Sequence, residues 1–441
     1  MSCSTALFNL RAACTLHAAR FLFSQFGAAP MKILHTSDWH LGRRLYGRTR
    51  YPEFTAFLDW LAQTIEAQQV DALVVSGDIF DTGTPGNLAQ NLYYNFLCRV
   101  AALPTCRNIV VVAGNHDSPS FVEAPKQVLQ HLHIHVIGSM RENPEEELLL
   151  LEESDGQPGL LLAAVPYLRD RDVRAAEAGE NGGEKTMRLV EGIEAHYREM
   201  GALAEAQRYR LNLPGLPLAA TGHLFTAGGR TAEGDGVRDL YVGNLALVST
   251  FPECFDYLAL GHLHVPQRVG GVEHIRYSGS PIPMGFGEAR QQKEVLLVEF
   301  SKTEEGCRIT PLNVPRFQRL ERVTGDLAGI LTGIEVLKEE GVECWLEVVY
   351  TAAAAPQNLR QQIEEAVEGS GLEVLRVKNS VLAAQILQIA RAGETLDDLD
   401  EFEVFQRCLT AAQIGEEEQG KLVECYEEIV RDLREEDSNR E

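Results

Sequence analysis

The sequence predicts an α/β chain with its functional residues at strand ends, followed by a small α+β domain and a helical tail. Three observations point there. Val74-Val75-Ser76-Gly77-Asp78-Ile79-Phe80-Asp81 is an apolar run that ends on a glycine and then a carboxylate. Three more runs have the same build: Ile33 to Ser37 leads into Asp38-Trp39-His40, Ile109 to Ala113 into Gly114-Asn115-His116-Asp117, and Tyr257 to Leu260 into Gly261-His262-Leu263-His264. Stretches with apolar residues at helical spacing lie between them. In an α/β sheet the ends of neighbouring strands meet at one edge, where sites form. Asp, His and Asn from separate strands are therefore expected to converge, with Asp78 in the middle as a carboxylate bridging two metal ions.

Composition sets the outer limits. A chain of 441 residues can bury a sizeable core and divides into two or three domains. No apolar run reaches the roughly 20 residues that span a bilayer, so no membrane partner is expected. Nine cysteines occur without a CxxC pair. That usage fits free thiols in a reducing, cytoplasmic setting and argues against a disulfide framework. The net charge of −24 speaks at first against nucleic acid, but from Glu394 to Glu441 seventeen carboxylates face five Lys or Arg, which is half the excess. Such a tail reads as a solvated helix face or a partner-binding segment and says little about charge around the site.

In chain order, residues 1–30 hold Arg11 and Arg20 and no acidic residue. They read as an extension before a natural start at Met31, disordered or a mis-assigned start, with a targeting peptide as the other reading. After His40, the Gly-interrupted loop to Arg50 carries Arg43, Arg44, Arg48 and Arg50. Beside a phosphate-handling site these suggest contacts to a DNA backbone; a solvated loop is the plainer alternative. Phe54 to Gln69 has Phe54, Phe57, Leu58, Leu61 and Ile65 on one helical face, which makes a strand–helix–strand unit with the Asp78 run. Asn87 to Leu103 is expected as a second helix with Leu88, Leu92, Phe96 and Val100 inward. Ser118 to Leu132 is expected as a third, with Val122, Val128, Leu129 and Leu132 inward. These stripes read as core, or as a dimer bundle. Residues 139–159 end in a turn between strands, and Leu160 to Val165 is a strand. Arg174 to Lys185 reads as a mobile loop, and Met187 to Arg210 as a helix. Pro217 to Thr221 is a strand delivering Gly222-His223. Tyr277 to Pro283 is a constrained loop, and Val295 to Phe300 closes the α/β region. From Leu320 to Lys378 the pattern is strand, helix, strand, helix, strand. Beyond Ser380 the chain reads as helical and acidic, with Leu422, Tyr426, Ile429 and Leu433 as a stripe for core or for a partner helix.

The candidate ligands are Asp38, His40, Asp78, Asn115, His223, His262 and His264. Mixed carboxylate, amide and imidazole donors suit Mn²⁺, Fe²⁺ or Zn²⁺ better than Ca²⁺. Seven donors exceed one tetrahedral ion and suffice for two ions sharing Asp78. Two ions roughly 3.5–4 Å apart can steady both the attacking and the leaving oxygen of a phosphoryl displacement. Each motif alone is weak. A lone Asp-x-His is commonly structural. The ordered set at successive strand ends is specific.

That set resembles the calcineurin-like metallophosphoesterase superfamily, and its order is similar to the DNA-repair branch of SbcD-type exonuclease subunits. His35-Thr36-Ser37-Asp38-Trp39-His40-Leu41-Gly42, Gly77-Asp78-Ile79-Phe80-Asp81-Thr82-Gly83, Ala220 to Leu224, Ala259 to His264 and Tyr277 to Pro283 carry the likeness, which covers about residues 31 to 435. The resemblance implies a four-layer α/β/β/α sandwich over 31–315, a DNA-facing cap over 316–380 and a partner-binding tail over 381–441. It implies one ion held by Asp38, His40, Asp78 and His264, and another by Asp78, Asn115, His223 and His262. Manganese is the expected metal, with Mg²⁺ as the alternative. His116 would be the catalytic histidine, oriented by Asp81 as a dyad. The implied partners are double-stranded DNA ends and hairpins and an SbcC-like coiled-coil ATPase, with a homodimer inside a heterotetramer and a nucleoid-associated location. No Gly-x-x-x-x-Gly-Lys loop occurs, so ATP hydrolysis would fall to the partner. The implied activity is ATP-dependent double-strand exonuclease and single-strand or hairpin endonuclease action in DNA repair, recombination and replication. Two rivals stand beside it: a phosphoesterase for small molecules or phosphoproteins, and a non-catalytic DNA-end tether.

Overall fold

Ala72-Leu73-Val74-Val75 is apolar at every position because the strand is buried on both faces. Leu73 and Val75 enter one core, and Ala72 and Val74 enter another. Ile109/Val111 and Val110/Val112 divide in the same way on the neighbouring strand. This period of two, repeated across two sheets, produces the layers.

In a computed structural model of the chain, residues 30–153, 156–174, 181–230, 248–301, 306–352 and 358–379 are described, with isolated positions between 402 and 426. The strands are β1 (Met31–Thr36), β2 (Arg44–Leu45), β3 (Arg48–Thr49), β4 (Ala72–Ser76), β5 (Asn108–Val112), β6 (Ile134–Ile137), β7 (Leu148–Glu152), β8 (Pro158–Ala163), β9 (Leu218–His223), β10 (Tyr257–Gly261), β11 (Gln267–Val269), β12 (Val272–Tyr277), β13 (Glu294–Phe300) and β14 (Cys307–Asn313). One six-stranded sheet has the order β14-β13-β1-β4-β5-β6, and the other β11-β12-β10-β9-β8-β7. In the first, β1, β4, β5 and β6 are parallel. In the second, β8, β9, β10 and β12 are parallel. In the first sheet β13 and β14, and in the second β7 and β11, are antiparallel to their neighbours.

Helices α1 (Tyr51–Gln68) and α2 (Asn87–Ala101) cover the outer face of the first sheet. Residues Ile193, Tyr197, Met200 and Ala204 of a long helix, 182–210, cover the outer face of the second. Between the sheets, Met31, Ile33, Val74, Val110 and Val112 meet Leu160, Leu162, Ala219, Tyr257 and Ala259. The result is the expected α/β/β/α sandwich. The chain divides into two units, Met1–Gln318 and Arg319–Glu441. In the second unit, β15 (Leu320–Gly325), β16 (Cys344–Tyr350) and β17 (Leu372–Asn379) form an all-parallel sheet. Ile330, Ile334, Leu337 and Ile363 of its two helices pack on Cys344, Leu346 and Val348. Of the tail, Tyr426 stacks on Phe405 at 4.1 Å between ring centres, and Leu422 is exposed. Ile429, Leu433 and residues 1–29 lie outside the described positions. Among the described residues no helix is long and apolar enough to cross a membrane.

Several local expectations are corrected. In α2 the buried face is Ala89, Tyr93, Phe96, Leu97 and Val100, while Leu88 is exposed. Steps of four residues drift about 40° each around a 3.6-residue turn, so a strict i+4 stripe leaves the core at one end. Ser118 to Leu132 is two short helices, Pro119–Glu123 and Lys126–Leu129, followed by a 3₁₀ turn. Pro125 supplies no N–H to continue the first, and Val128 and Leu132 face solvent. Residues 182–185, read as loop, open the long helix. Asn181 Oδ1 accepts the Glu184 N–H at 3.0 Å and Glu184 Oε2 accepts the Asn181 N–H at 3.1 Å, a reciprocal cap. Val295 to Phe300 does not close the first unit, because β14 follows it.

The two sheets approach most closely at the strand ends, through glycine. A Cβ on Gly261 would meet the Ser76 carbonyl oxygen and lie 2.9 Å from His223 Nδ1 and from Ser37 Cβ. Gly261→Ala is expected to lower stability by on the order of 2 kcal/mol, read as an earlier midpoint of urea unfolding. An unchanged midpoint would mean that the sheets part there freely.

Candidate metal centre

The parallel strands of both sheets end at one edge, and the residues just beyond them turn sharply. Asp38 (φ 54°), His40 (φ 47°), Asp78 (φ 51°) and His262 (φ 101°) all lie in the left-handed region. Non-glycine residues pay roughly 1–2 kcal/mol each for that conformation. It persists where the surroundings leave no alternative. Here the loops are laced together: Asp38 N–H donates to the Gly77 carbonyl at 2.9 Å, and His40 N–H to the Asp78 carbonyl at 3.0 Å. The Asp117 carboxylate accepts N–H groups from Gly114 (2.8 Å), Phe80 (3.0 Å) and Ile79 (3.1 Å), which ties the β4 and β5 loops together.

All seven sequence-predicted donors meet at this edge. Asp78 divides its two oxygens. Oδ1 accepts the His116 N–H at 2.9 Å. Oδ2 lies 3.2 Å from His223 Nε2 and 3.6 Å from His40 Nε2. On one side of it, His40 Nε2 is 3.1 Å from His264 Nε2, which is 3.9 Å from Asp38 Oδ1. On the other, His223 Nε2 is 3.1 Å from Asn115 Oδ1 and 3.3 Å from His262 Nδ1. Asp38, His40 and His264 offer donor atoms within 4.8 Å of one another, and so do Asp78, His223 and His262.

These contacts fit divalent cations. Nitrogens of neighbouring imidazoles close on each other at 3.1–3.3 Å. Each pair must share a proton or aim both lone pairs at a common cation. Burial would push the Asp78 carboxyl up, but the charge and hydrogen bond of His223, with His40 and His116, hold it well below the usual carboxylate range. Burial would lower His223, yet Asp78 raises it to about 9. Burial and the charge of His223 push His262 well below the usual range, and burial lowers His40. The Asp78 charge therefore draws a positive charge onto His223, beside the neutral imidazoles of His40 and His262. A metal ion supplies that charge without a proton, and neutral imidazole is the ligating form.

Two expectations change here. His116 Nδ1 donates to the Asp81 backbone carbonyl at 2.8 Å and not to its carboxylate. The Asp81 carboxylate lies 3.4 Å from His40 Nδ1 and 3.3 Å from Arg43 Nη1. Its charge sits on the far side of a candidate ligand, and its main chain holds His116. The arginines also separate. Arg50 is buried, with Nε and Nη2 on the Glu53 carboxylate at 2.8 and 2.9 Å and Nη1 on the Pro283 carbonyl at 2.8 Å. It is a structural brace out of reach of a phosphate backbone. Arg44 and Arg48 are exposed on the β2–β3 hairpin.

Sequence reading gave no role to Asp117, although it is the fourth residue of the Gly-Asn-His-Asp motif. It also passed over the buried pair Glu288–Lys293, which lies beyond the last motif and has no local signature. A third omission is Arg169. Its guanidinium is 5.8 Å from the Tyr167 ring centre and donates to the Asp117 carbonyl at 3.3 Å.

Arg50→Ala is expected to cost about 3 to 5 kcal/mol, because it leaves Glu53 buried and unpaired. Thermal unfolding of that variant beside Arg44→Ala is the check: only the first should melt early.

Comparison with known proteins follows the same residues. Residues 31–266 match the family described as Calcineurin-like phosphoesterase. Residues 316–413 match the family described as Type 5 capsule protein repressor C-terminal domain. The chain is 38% identical over 407 residues to the SbcD component of the SbcCD nuclease from Escherichia coli (strain K12), covering 91% of this chain and 98% of that one. It is 35% identical over 316 residues to the Rhodobacter capsulatus protein of the same name, covering 70% and 76% of the two chains. The Bacillus subtilis protein of that name is 35% identical over 280 residues, covering 62% and 68%.

Proposed function

This chain belongs to the calcineurin-like phosphoesterases and, within them, to the SbcD nuclease subunits, and from that premise we propose a two-metal nuclease that hydrolyses DNA phosphodiester bonds at double-strand ends and hairpins. The observation that carries the reading is the division of Asp78. One oxygen lies between two donor groups, and the other fixes the main chain of His116. Asp38, His40, Asp78 and His264 would hold one ion; Asp78, Asn115, His223 and His262 would hold the other. Mn²⁺ is the metal we assign, from the mixed oxygen and imidazole donors. Bound ions supply positive charge for the phosphate oxygens of an in-line displacement.

The chain's own residues supply the rest. The hydrogen bond from His116 Nδ1 to the Asp81 carbonyl fixes the ring as the Nδ1–H tautomer. That leaves Nε2 as the nitrogen able to take up a proton, which it can then give to a leaving oxygen or use to steady a phosphoryl oxygen. His40 and His116 pack edge to face at 4.9 Å, so the catalytic ring is placed by a ligand ring. Arg44 and Arg48, on the hairpin that leaves the His40 loop, suit contacts to the substrate backbone.

Residues 31–315 would form the nuclease domain and 316–380 a DNA-facing cap. Residues 381–441 would engage an SbcC-like coiled-coil ATPase that makes cleavage ATP-dependent. Two copies would assemble with that partner as a heterotetramer, in the cytoplasm at the nucleoid. Residues 1–30 would lie outside the working fold.

End-labelled linear duplex DNA with Mn²⁺, with and without the ATPase partner and ATP, tests this. Degradation should require Mn²⁺, rise with the partner, and fall at least 100-fold in His116→Ala. Asp78→Asn should abolish cleavage while keeping the fold. Hydrolysis confined to small chromogenic phosphodiesters would replace the nuclease reading with a general phosphoesterase one. Removal of residues 394–441 should spare cleavage by the chain on its own and abolish co-purification with the partner. Retained co-purification would refute that role for the tail.

A further inference from the structure

Beyond the last motif the chain forms a turn, Phe286–Glu288, and then enters β13. Glu288 and Lys293 in this segment are buried and form an ion pair. Burying two charges is costly unless each is fully used. Lys293 Nζ is: besides Glu288 it donates to the His264 carbonyl at 2.9 Å, Ser280 Oγ at 3.1 Å and Gln291 Oε1 at 3.2 Å. Glu288 Oε2 is: besides Lys293 it accepts the Met284 N–H at 3.1 Å and Ser280 Oγ at 3.3 Å. Glu288 Oε1 is not. It has no hydrogen-bond partner, and it faces His264 Nδ1 at 3.8 Å. The opposite nitrogen of that ring, Nε2, is the one among the candidate ligands.

We propose that Glu288, fixed by Lys293, is the positioning residue for His264. Its carboxylate keeps the His264 proton on Nδ1 and so presents the Nε2 lone pair to the metal, while Lys293 anchors the same residue through its carbonyl. The proposal rests on the two-metal reading of the site. A ligating histidine commonly donates its other N–H to a carboxylate, which fixes the tautomer and raises ligand basicity. Asp81 stands in the same relation to His40, at 3.4 Å from Nδ1. Both histidines of one donor group would then have a carboxylate behind them.

Mn²⁺ binding to the metal-free protein, measured by calorimetry, tests the proposal without reference to activity. Wild type should take two ions. Glu288→Gln should bind one of them 10- to 100-fold more weakly and leave the other unchanged. Because that change leaves Lys293 buried without its counter-charge, Glu288→Gln/Lys293→Met serves if the single variant does not fold. Glu288→Asp keeps the ion pair but withdraws the carboxylate from Nδ1. It should melt like wild type and still bind one ion more weakly. A purely structural Glu288 would leave both affinities of the aspartate variant at the wild-type values, and that result overturns the proposal. Fewer than two ions on wild type would overturn the two-metal reading instead.

Discussion

The burial of the Asp78 carboxylate is the constraint on which the rest of the first unit depends. Asp78 is almost wholly removed from water, where both sheets end. A lone carboxylate in that place would take up a proton. It stays charged because imidazoles from both sheets surround it: His40 from the loop after β1 and His223 from the end of β9. Neither sheet alone supplies the set. The β-on-β packing of the sandwich is therefore also what brings the two donor groups to opposite sides of one oxygen.

Close approach follows from this. At Gly114 a Cβ would overlap Asp78, and at Gly261 it would overlap the backbone of β4's last residue, Ser76. Gly77 and Gly261 act as spacers of minimal thickness between the two sheets, and Gly114 as one between neighbouring loops of the first sheet. The left-handed residues Asp38, His40, Asp78 and His262 turn the chain back toward the seam within one to four positions of a strand end. Short backbone hydrogen bonds between the loops, and Asp117 with its three N–H groups, hold those turns. Burial and the nearby charge of Asp78 push the Asp117 carboxyl up to about 6 against those three bonds.

Legibility in the sequence divides along the same line. Strands buried on both faces appear as unbroken apolar runs, and each ends on chemistry that core packing does not require. The converging donors could be read for that reason, although their contact distances could not. The amphipathic helices were legible only as stripes. Leu88 and Val128 were misplaced, because spacing does not say how wide the buried face is or where Pro125 ends a helix. The roles of Asp81 and Arg50 were hidden for a different reason. Both carry a charged side chain at a plausible offset from a motif, and only three-dimensional contact shows which partner each one takes. Arg50 meets Glu53 within one helical turn and never reaches the surface.

Residues 278–293 show why such partners escape a motif search. Ser278 bonds Ser37 at 2.8 Å, next to Asp38. The Pro283 carbonyl receives Arg50, and Phe286 stacks on Tyr46 of the β2–β3 hairpin at 5.8 Å. Lys293 holds the His264 carbonyl. A single segment without a candidate donor of its own thus touches the first donor loop, the arginine hairpin and the last donor loop. Its residues are ordinary when read in isolation. Their effect is to make the positions of Asp38 and His264, more than 200 residues apart in sequence, depend on one stretch of backbone. A shift of that stretch would move two donors of one group, Asp38 and His264, together, whereas Asn115 and His223 of the other group are carried by the β5 loop and β9.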